Sequence, residues 1–431
     1  MFHSTQSGFD CVIVGAGISG ILTAARLHQA TPSRKILLVE KESHIGGRIT
    51  ARSLHQRLFP IFGVTAPLFQ FVNQTLRLDP ENPDLESFIP LPQEEEVGFF
   101  CGGDLYRLSR KRLLHESVLK MLAGPQVARQ WDELQTLWQP VEKEVTEGES
   151  APAGSKKKLN EKNRAHQALH VLFQLADSAS IWGLAEETWP ARAQALCEIR
   201  IRGNWEPALQ QLLPAEGGSL QVSPNTHVLG AKRKDGKWIL STNHGPIESQ
   251  GLIVAQSPWQ ALEWLDRDEF PSTLFQRASK TQPVSTVLLS EKITRMDSSL
   301  PSLLFIPAQA ASVVSSETEL VFYTHIEYET SLDAPSVVKA IRRLRRAREK
   351  VRQKFPNLLS EGEYVALRTI GSTAPHRLAE KRICEKIKET VFPKQSLAFC
   401  GDAYGDADNP DENLIRSVLA AVALQATPLS F

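Results

Sequence analysis

A chain of 431 residues is more than one compact core usually holds and predicts about two domains. Lys plus Arg equals Asp plus Glu at 49 each, so no global field draws the chain to nucleic acid or anionic lipid, and partners must be recognised at local sites. The five cysteines (Cys11, Cys101, Cys197, Cys384, Cys400) form no CxxC pair and leave an odd one over, which disfavours a zinc module or a disulfide framework and favours a reducing, cytoplasmic setting. The histidines are scattered without ligand spacing, so no metal site is expected.

Cys11 to Leu27, CVIVGAGISGILTAARL, is nearly charge-free and at first resembles the apolar core of an export signal. The preceding MFHSTQSGFD has no Lys or Arg and ends in Asp10, where a signal needs a basic start, so no leader is expected. No apolar run reaches the ~18 residues of a spanning helix. FDCVIVGAG instead predicts a strand, and SGILTAARLHQA a helix with Ile21, Leu22, Ala25 and Leu27 as its apolar positions. They join at Gly15-Ala16-Gly17-Ile18-Ser19-Gly20, the spacing of a dinucleotide-binding turn. The first glycine permits the tight turn, the second lets a pyrophosphate approach the backbone, and the third lets helix and strand pack closely. The helix N-terminus supplies free N–H groups to the phosphates. A second strand, KILLVE, ends in Glu40, placed to accept hydrogen bonds from both ribose hydroxyls and to repel a 2′-phosphate.

The chain continues through Lys41 into Gly46-Gly47-Arg48, which a nicotinamide site does not need. An arginine beside two small residues suits the pyrophosphate of a dinucleotide that runs on across the domain. In these residues the chain resembles the flavin amine oxidase superfamily: monoamine oxidases, protoporphyrinogen oxidases, carotenoid and squalene-associated desaturases, and renalase. The resemblance implies FAD, bound by Gly15, Gly17, Ile18, Ser19, Gly20, Glu40, Lys41, Gly47 and Arg48. His44, in the same turn, reads as a loop histidine. The resemblance also implies a discontinuous flavin domain whose last strand and helix return to cover the ribityl chain and the ring. SLAFCGDAYGDADNPDENLIRSVLAAVAL has that form: a strand over 397–400, Gly401-Asp402, a turn-rich loop, then a helix from about Glu412. Asp402 would accept a ribityl hydroxyl, and N–H groups near Asn413 and Leu414 would face the flavin pyrimidine oxygen. The segment from Thr226 to Pro258 predicts strand, hairpin and strand with its turn at Asp235-Gly236, and the resemblance puts the backbone of Val228 at the adenine.

GFFCGGDLYRLSR predicts a hairpin with Gly102-Gly103-Asp104 at its turn. Residues 110–200 have a mostly helical pattern, interrupted over 145–165 by a stretch rich in Gly, Pro, Ser and charge that predicts a mobile loop. VVKAIRRLRRAREKVRQKF is strongly basic, yet Val337, Ile341, Leu344, Val351 and Phe355 fall on one side, so it predicts an amphipathic helix with a solvated basic face. No aromatic residue interleaves with its arginines as a base-stacking platform requires, so no nucleic-acid partner is expected, while peripheral membrane contact stays open. The fold class expected is α/β: a discontinuous Rossmann-like FAD-binding domain over 1–60, 204–262 and 391–431, with a mixed α+β substrate domain over 61–203 and 263–390.

The expected function is an FAD-dependent oxidoreductase that oxidises a small organic substrate by hydride transfer to noncovalent flavin and passes electrons to oxygen or another acceptor. Three departures from the family matter. Where many amine oxidases carry a lysine, the strand PVSTVLLSEK has Ser285 or Thr286, which argues against amine oxidation in the narrow sense. The C-terminal helix opens on Glu412-Asn413 and carries Arg416-Ser417, in place of a small Gly-Ala pair and a Ser-Gly. RTIGSTAPHRL has no cysteine for a covalent flavin. His376 is the one candidate acid, base or polar anchor, and Arg200 and Arg202 precede Gly203-Asn204, a likeness to the family's Gly-Gly. Two alternatives stand beside this reading: a catalytically degenerate flavin-fold binding or structural protein, and an NAD-dependent dehydrogenase.

Overall fold

The computed structural model describes residues 6–47, 52–54, 57–59, 64–76, 96–125, 163–177, 196–197, 200–201, 206–213, 218–268, 284–316, 318–327, 334–370, 391–401, 404 and 410–426. Arg48, Arg202, Gly203, Asn204, His376, Cys384, Asp402 and residues 145–162 of the loop expected at 145–165 lie outside the described residues, and the helix that follows begins at Arg164, inside the expected loop.

The chain opens with β1 (Gln6–Val14), α1 (Ile18–Ala30) and β2 (Ile36–Val39). Short strands β3 (Arg52–Leu54), β4 (Arg57–Phe59) and β5 (Val64–Thr65) lead to α2 (Ala66–Leu76). Next come β6 (Glu96–Cys101), β7 (Asp104–Ser109), α3 (Glu116–Ala123), α4 (Arg164–Asp177), β8 (Arg200–Ile201) and α5 (Glu206–Gln211). β9 (Leu220–Ser223), β10 (Val228–Lys234), β11 (Lys237–Thr242), β12 (Gly245–Val254) and α6 (Pro258–Ala261) follow. Then β13 (Val284–Arg295), β14 (Leu303–Ile306), β15 (Ala311–Ser315), β16 (Glu319–Glu327), α7 (Ala334–Lys354) and β17 (Leu359–Ile370). β18 (Val391–Phe392), β19 (Leu397–Phe399) and α8 (Pro410–Ala426) close the described chain.

Five strands run parallel in the order β9, β2, β1, β12, β19. β10 and β11 form an antiparallel extension on the first half of β12, with register pairs from Trp238↔Ser249 to Thr242↔Gly245. A parallel sheet is covered on both faces, and β1 shows it in alternation. Cys11 and Ile13 pack with Ile21 and Leu22 of α1 and Leu414 and Val418 of α8, whereas Val12 and Val14 pack with Trp238, Leu240 and Phe399. The strand order reverses between β1 and β12, and in such sheets the crevice at that point, at the carboxyl ends of the strands, is where ligands bind.

The second sheet has the order β17, β13, β16, β15, β14, β6, β7, and within it only the β14–β6 pair is parallel. α7 covers one face, burying Leu344, Ala347, Val351 and Phe355 against Val287 and Leu289. α3 and α4 cover the other, burying Leu119, Leu169 and Leu172 against Phe99, Leu288 and Phe305. The predicted amphipathic helix is thus seated by its apolar side.

Local boundaries differ from expectation by a residue or two, for identifiable reasons. β2 stops at Val39, leaving Glu40 one step beyond the ladder, and β19 stops at Phe399 rather than at 400. α8 begins at Pro410, whose fixed φ suits a first helical turn, two residues ahead of Glu412. In the β6–β7 hairpin Asp104 pairs with Cys101, so the turn is Gly102-Gly103 alone, with φ of 64° and 99°. Among the described residues no helix is long and apolar enough to cross a membrane, and Cys11, Cys101 and Cys400 are free thiols.

Candidate dinucleotide site

The turn after β1 lies at the carboxyl edge of the parallel sheet, where the crevice opens. Gly15 has φ of +104°, and a Cβ there would lie 2.8 Å from the Ala255 carbonyl oxygen. A Cβ on Gly20 would lie 1.9 Å from the Gly15 carbonyl oxygen, so the first turn of α1 can rest on the strand only with glycine in place. Gly47 approaches from the loop after β2: its Cβ would fall 3.1 Å from Gly17 Cα, and the Gly46 N–H donates to the Ala16 carbonyl at 2.6 Å. At Gly17, the N-cap of α1, a Cβ would meet nothing within 4 Å among the described residues. Neither a side-chain cap nor a first-turn carboxylate covers this helix end, which leaves its positive end open to an anion. Ile18, Ser19 and Gly20 line that first turn and are buried.

Glu40 is held at the same turn. Its carboxylate accepts from the Ala16 N–H at 2.8 Å and the Glu42 N–H at 3.0 Å. Each oxygen keeps a lone pair for another donor. Lys41, beside it, is exposed. The loop before β10 is tied to this carboxylate's backbone, with the Thr226 N–H donating to the Glu40 carbonyl at 2.7 Å and the Asn225 N–H to the Glu42 carbonyl at 3.0 Å. Val228, buried two residues on, is thereby brought to the same edge of the site.

The C-terminal return also reaches this edge. The Cys400 N–H donates to the Val254 carbonyl at 3.0 Å, and a Cβ on Gly401 would lie 3.7 Å from Ser19 Oγ. The Ser417 hydroxyl accepts from the Gly401 N–H at 2.9 Å and reaches the Leu414 carbonyl at 3.0 Å, so α8 grips the end of β19. Asn413 and Leu414 are buried. Asp411 accepts hydrogen bonds from the hydroxyl and N–H of Thr65, in β5. Glu412 and Arg416 pair with each other and share an exposed stripe of α8 with Leu419 and Ala423. Of the four departures in that helix start, Glu412 and Arg416 therefore face away from the core, whereas Asn413 and Ser417 are buried.

The structure thus brings Gly15 to Gly20, Glu40, Gly47, Val228, Gly401, Asn413 and Leu414 to one edge of one sheet and its covering helix. Thr65, Gln256, Tyr404 and Ser417 were not singled out as site residues. Tyr404 and Gln256 carry no local spacing signal, and Ser417 drew notice only as a departure. Thr286 is buried in β13, opposite His325 and Arg368. Burial pushes the Cys400 thiol up to about 12, against the smaller opposing effect of the Thr23 hydroxyl that donates to it. The Cys11 thiol is raised further by burial alone in the main.

Comparison with known proteins agrees with this geometry. A family profile described as an NAD(P)-binding Rossmann-like domain matches residues 13–73. A UDP-galactopyranose mutase of Mycoplasma genitalium is 43% identical over 72 residues, 16% of this chain and 17% of that protein. The chain spans no more than 17% of the length of the curated relatives it matches. Among solved structures, cyclohexylamine oxidase from Brevibacterium oxydans superposes with a TM-score of 0.67 at 14% identity, over 97% of this chain and 98% of that one. A putrescine oxidase double mutant superposes with a TM-score of 0.64 at 15% identity, over 98% and 100%. The chain shares the fold of these two oxidases along nearly its whole length.

Proposed function

We propose that this chain is an FAD-dependent oxidoreductase that oxidises a small organic substrate and holds its flavin without a covalent bond. The observation that carries the reading is the uncapped end of α1: Gly17 leaves open space there, and Gly47, Glu40 and Gly401 converge on it. A ligand-free Rossmann unit gains nothing from a glycine whose Cβ would touch none of the described residues. The site fits the ADP half of a dinucleotide, with the N–H groups of Ile18, Ser19 and Gly20 toward the pyrophosphate, Glu40 toward the ribose hydroxyls, and the backbone at Val228 toward the adenine. Arg48 would neutralise the pyrophosphate, with Lys41 at the rim, and Asp402 with the α8 start at Asn413 and Leu414 would serve the part beyond. Such a site belongs to a flavin domain assembled from 1–60, 204–262 and 391–431, with the remaining segments shaping the substrate side.

When bound, the flavin supplies the two-electron chemistry, so this chain's residues need only bind, orient and exclude water. Ser285 or Thr286, where many amine oxidases carry a lysine, points away from amine oxidation in the narrow sense. His376 is the titratable side chain we assign to the substrate side. Noncovalent binding is supported by the state of the described cysteines at the sheet: Cys11 and Cys400 are fully buried and held as thiols. The degenerate-protein alternative drew on the bulky start of α8. Glu412 and Arg416 lie on its exposed stripe and Ser417 bonds to Gly401, so of that bulk only Asn413 remains on the buried side as support.

The test is the visible spectrum of the purified protein, followed by acid release. Flavin bands with FAD in the supernatant are expected, and reduction by substrate under anaerobic conditions, then exposure to oxygen, identifies substrate and acceptor. A colourless protein that takes up no added FAD would overturn the reading. FAD that binds but is reduced by no donor would favour the degenerate alternative.

A further inference from the structure

Three segments distant in sequence meet at Gln256, just past the end of β12. From below, the Gly15 turn presses on it: a Cβ on Gly15 would lie 3.0 Å from Gln256 Cγ. From the side, the Trp264 indole N–H donates to Gln256 Oε1 at 2.7 Å and fixes the amide. From above, the Tyr404 hydroxyl donates to the Gln256 carbonyl at 2.8 Å. Tyr404 is 1% exposed, its ring lies 5.3 Å from that of Phe399, and its N–H donates to the Gly401 carbonyl at 3.2 Å. A buried phenol bonded to a main-chain carbonyl is a strut of fixed length, and this one ties Tyr404, beyond β19, to Gln256, which lies beside the Gly15 turn.

We propose that Tyr404 and Gln256 are positioning residues for the flavin half of the dinucleotide, setting the height of the chain at Gly401 above the Gly15 turn. The proposal rests on the FAD reading above. It divides the ligand in two. The ADP half lies on the Gly15 turn and Glu40, which are held by bonds of their own: the Gly15 N–H to the Val39 carbonyl, the Ala16 N–H to the Glu40 carboxylate and the Thr226 N–H to the Glu40 carbonyl. The remainder lies toward Gly401, whose position the strut sets. Losing the strut therefore loosens one half and spares the other, a split that a merely structural tyrosine does not produce.

The experiment compares binding of FAD and of ADP to apoprotein by calorimetry for wild type, Tyr404→Phe and Trp264→Phe, with apoprotein melting recorded alongside. Tyr404→Phe keeps the ring and removes one buried hydrogen bond, so FAD should bind about five- to tenfold more weakly while ADP stays within about twofold. Trp264→Phe, which releases the Gln256 amide, should shift FAD in the same direction by a smaller factor. Equal weakening of both ligands, or no change in either, in variants of a wild type that binds both overturns the strut and leaves the FAD reading standing. A wild type that binds neither ligand overturns both.

Discussion

Gly17 and Gly20 stand three residues apart in one turn and are glycines for opposite reasons. At Gly20 the protein itself excludes a side chain, since a Cβ would sit 1.9 Å from a backbone oxygen that cannot move without displacing β1. At Gly17 the backbone is extended, with φ −70° and ψ 177°, and no described residue lies within 4 Å of an added Cβ, so the fold tolerates alanine. Gly20→Ala should destabilise the apoprotein by roughly 1–3 kcal/mol, the range for overpacked sites, whether or not ligand is present. Gly17→Ala should leave apoprotein stability within about 0.5 kcal/mol and weaken FAD binding by about tenfold or more, because its methyl occupies space left for the ligand. Urea unfolding of the apoproteins and FAD titrations read the two effects separately. Gly17→Ala protein that binds FAD as tightly as wild type would remove the pyrophosphate from this helix end.

α7 brings a dense row of arginines to a chain of zero net charge, and its inner arginines are neutralised by the sheet beneath. Glu291, fully buried, accepts from Arg348 at 3.1 Å, from Arg352 at 3.0 Å and from the Ser360 hydroxyl at 2.7 Å. Glu291→Gln should lower stability by about 2 kcal/mol, less than a fully buried pair because both arginines reach solvent, and urea unfolding at neutral pH measures it. Glu363 lies farther out. The hydrogen bond from Arg345 holds its carboxyl below the ordinary range, against partial desolvation, with Arg345 and Arg348 charges adding to the lowering. A depressed carboxylate stabilises the fold above its unfolded pKa and loses that contribution as pH falls through the folded value. Unfolding midpoints from pH 7 down to pH 3 should therefore fall less steeply in Glu363→Gln than in wild type, by up to about 1 kcal/mol across the range given its partial exposure. This helix was legible in the sequence because period and charge are local properties, as were the Gly102-Gly103 and Asp235-Gly236 turns and the glycine turn after β1. What pairs across hundreds of residues was not. Ser417 looked like an intrusive departure until its hydroxyl was seen gripping Gly401, and no local pattern says which stripe of α8 faces outward. Tyr404 and Gln256 have no periodicity to betray them, since their role exists only once β12 and β19 lie side by side.

The parallel sheet is assembled from the two ends of the chain and its middle, and its strands are unequally secured. β1 lies between β2 and β12 at its centre, whereas β19 is held by three register pairs to β12 and two to the short β18. Cys11 and Cys400 report on these two places, each fully buried, with thiols that burial keeps protonated at neutral pH. Labelling either one requires the structure around it to open. Detachment of β19 and α8 exposes Cys400 while β1 stays in place, so Cys400 should react with a neutral alkylating reagent sooner than Cys11, and after the half-buried Cys101 and Cys197. A flavin bound to both the Gly15 turn and the chain at Gly401 holds that opening shut. At a ligand concentration 100 times its dissociation constant, linkage supplies about 2.7 kcal/mol and should slow Cys400 labelling by about a hundredfold. Mass spectrometry of the labelled peptides with and without FAD reads each cysteine by itself. Equal rates for Cys11 and Cys400, slowed equally by FAD, would make the sheet one cooperative unit with no separable C-terminal flap. Slowing of Cys11 alone would mean that the ligand rests on the β1 turn and does not span to the return strand.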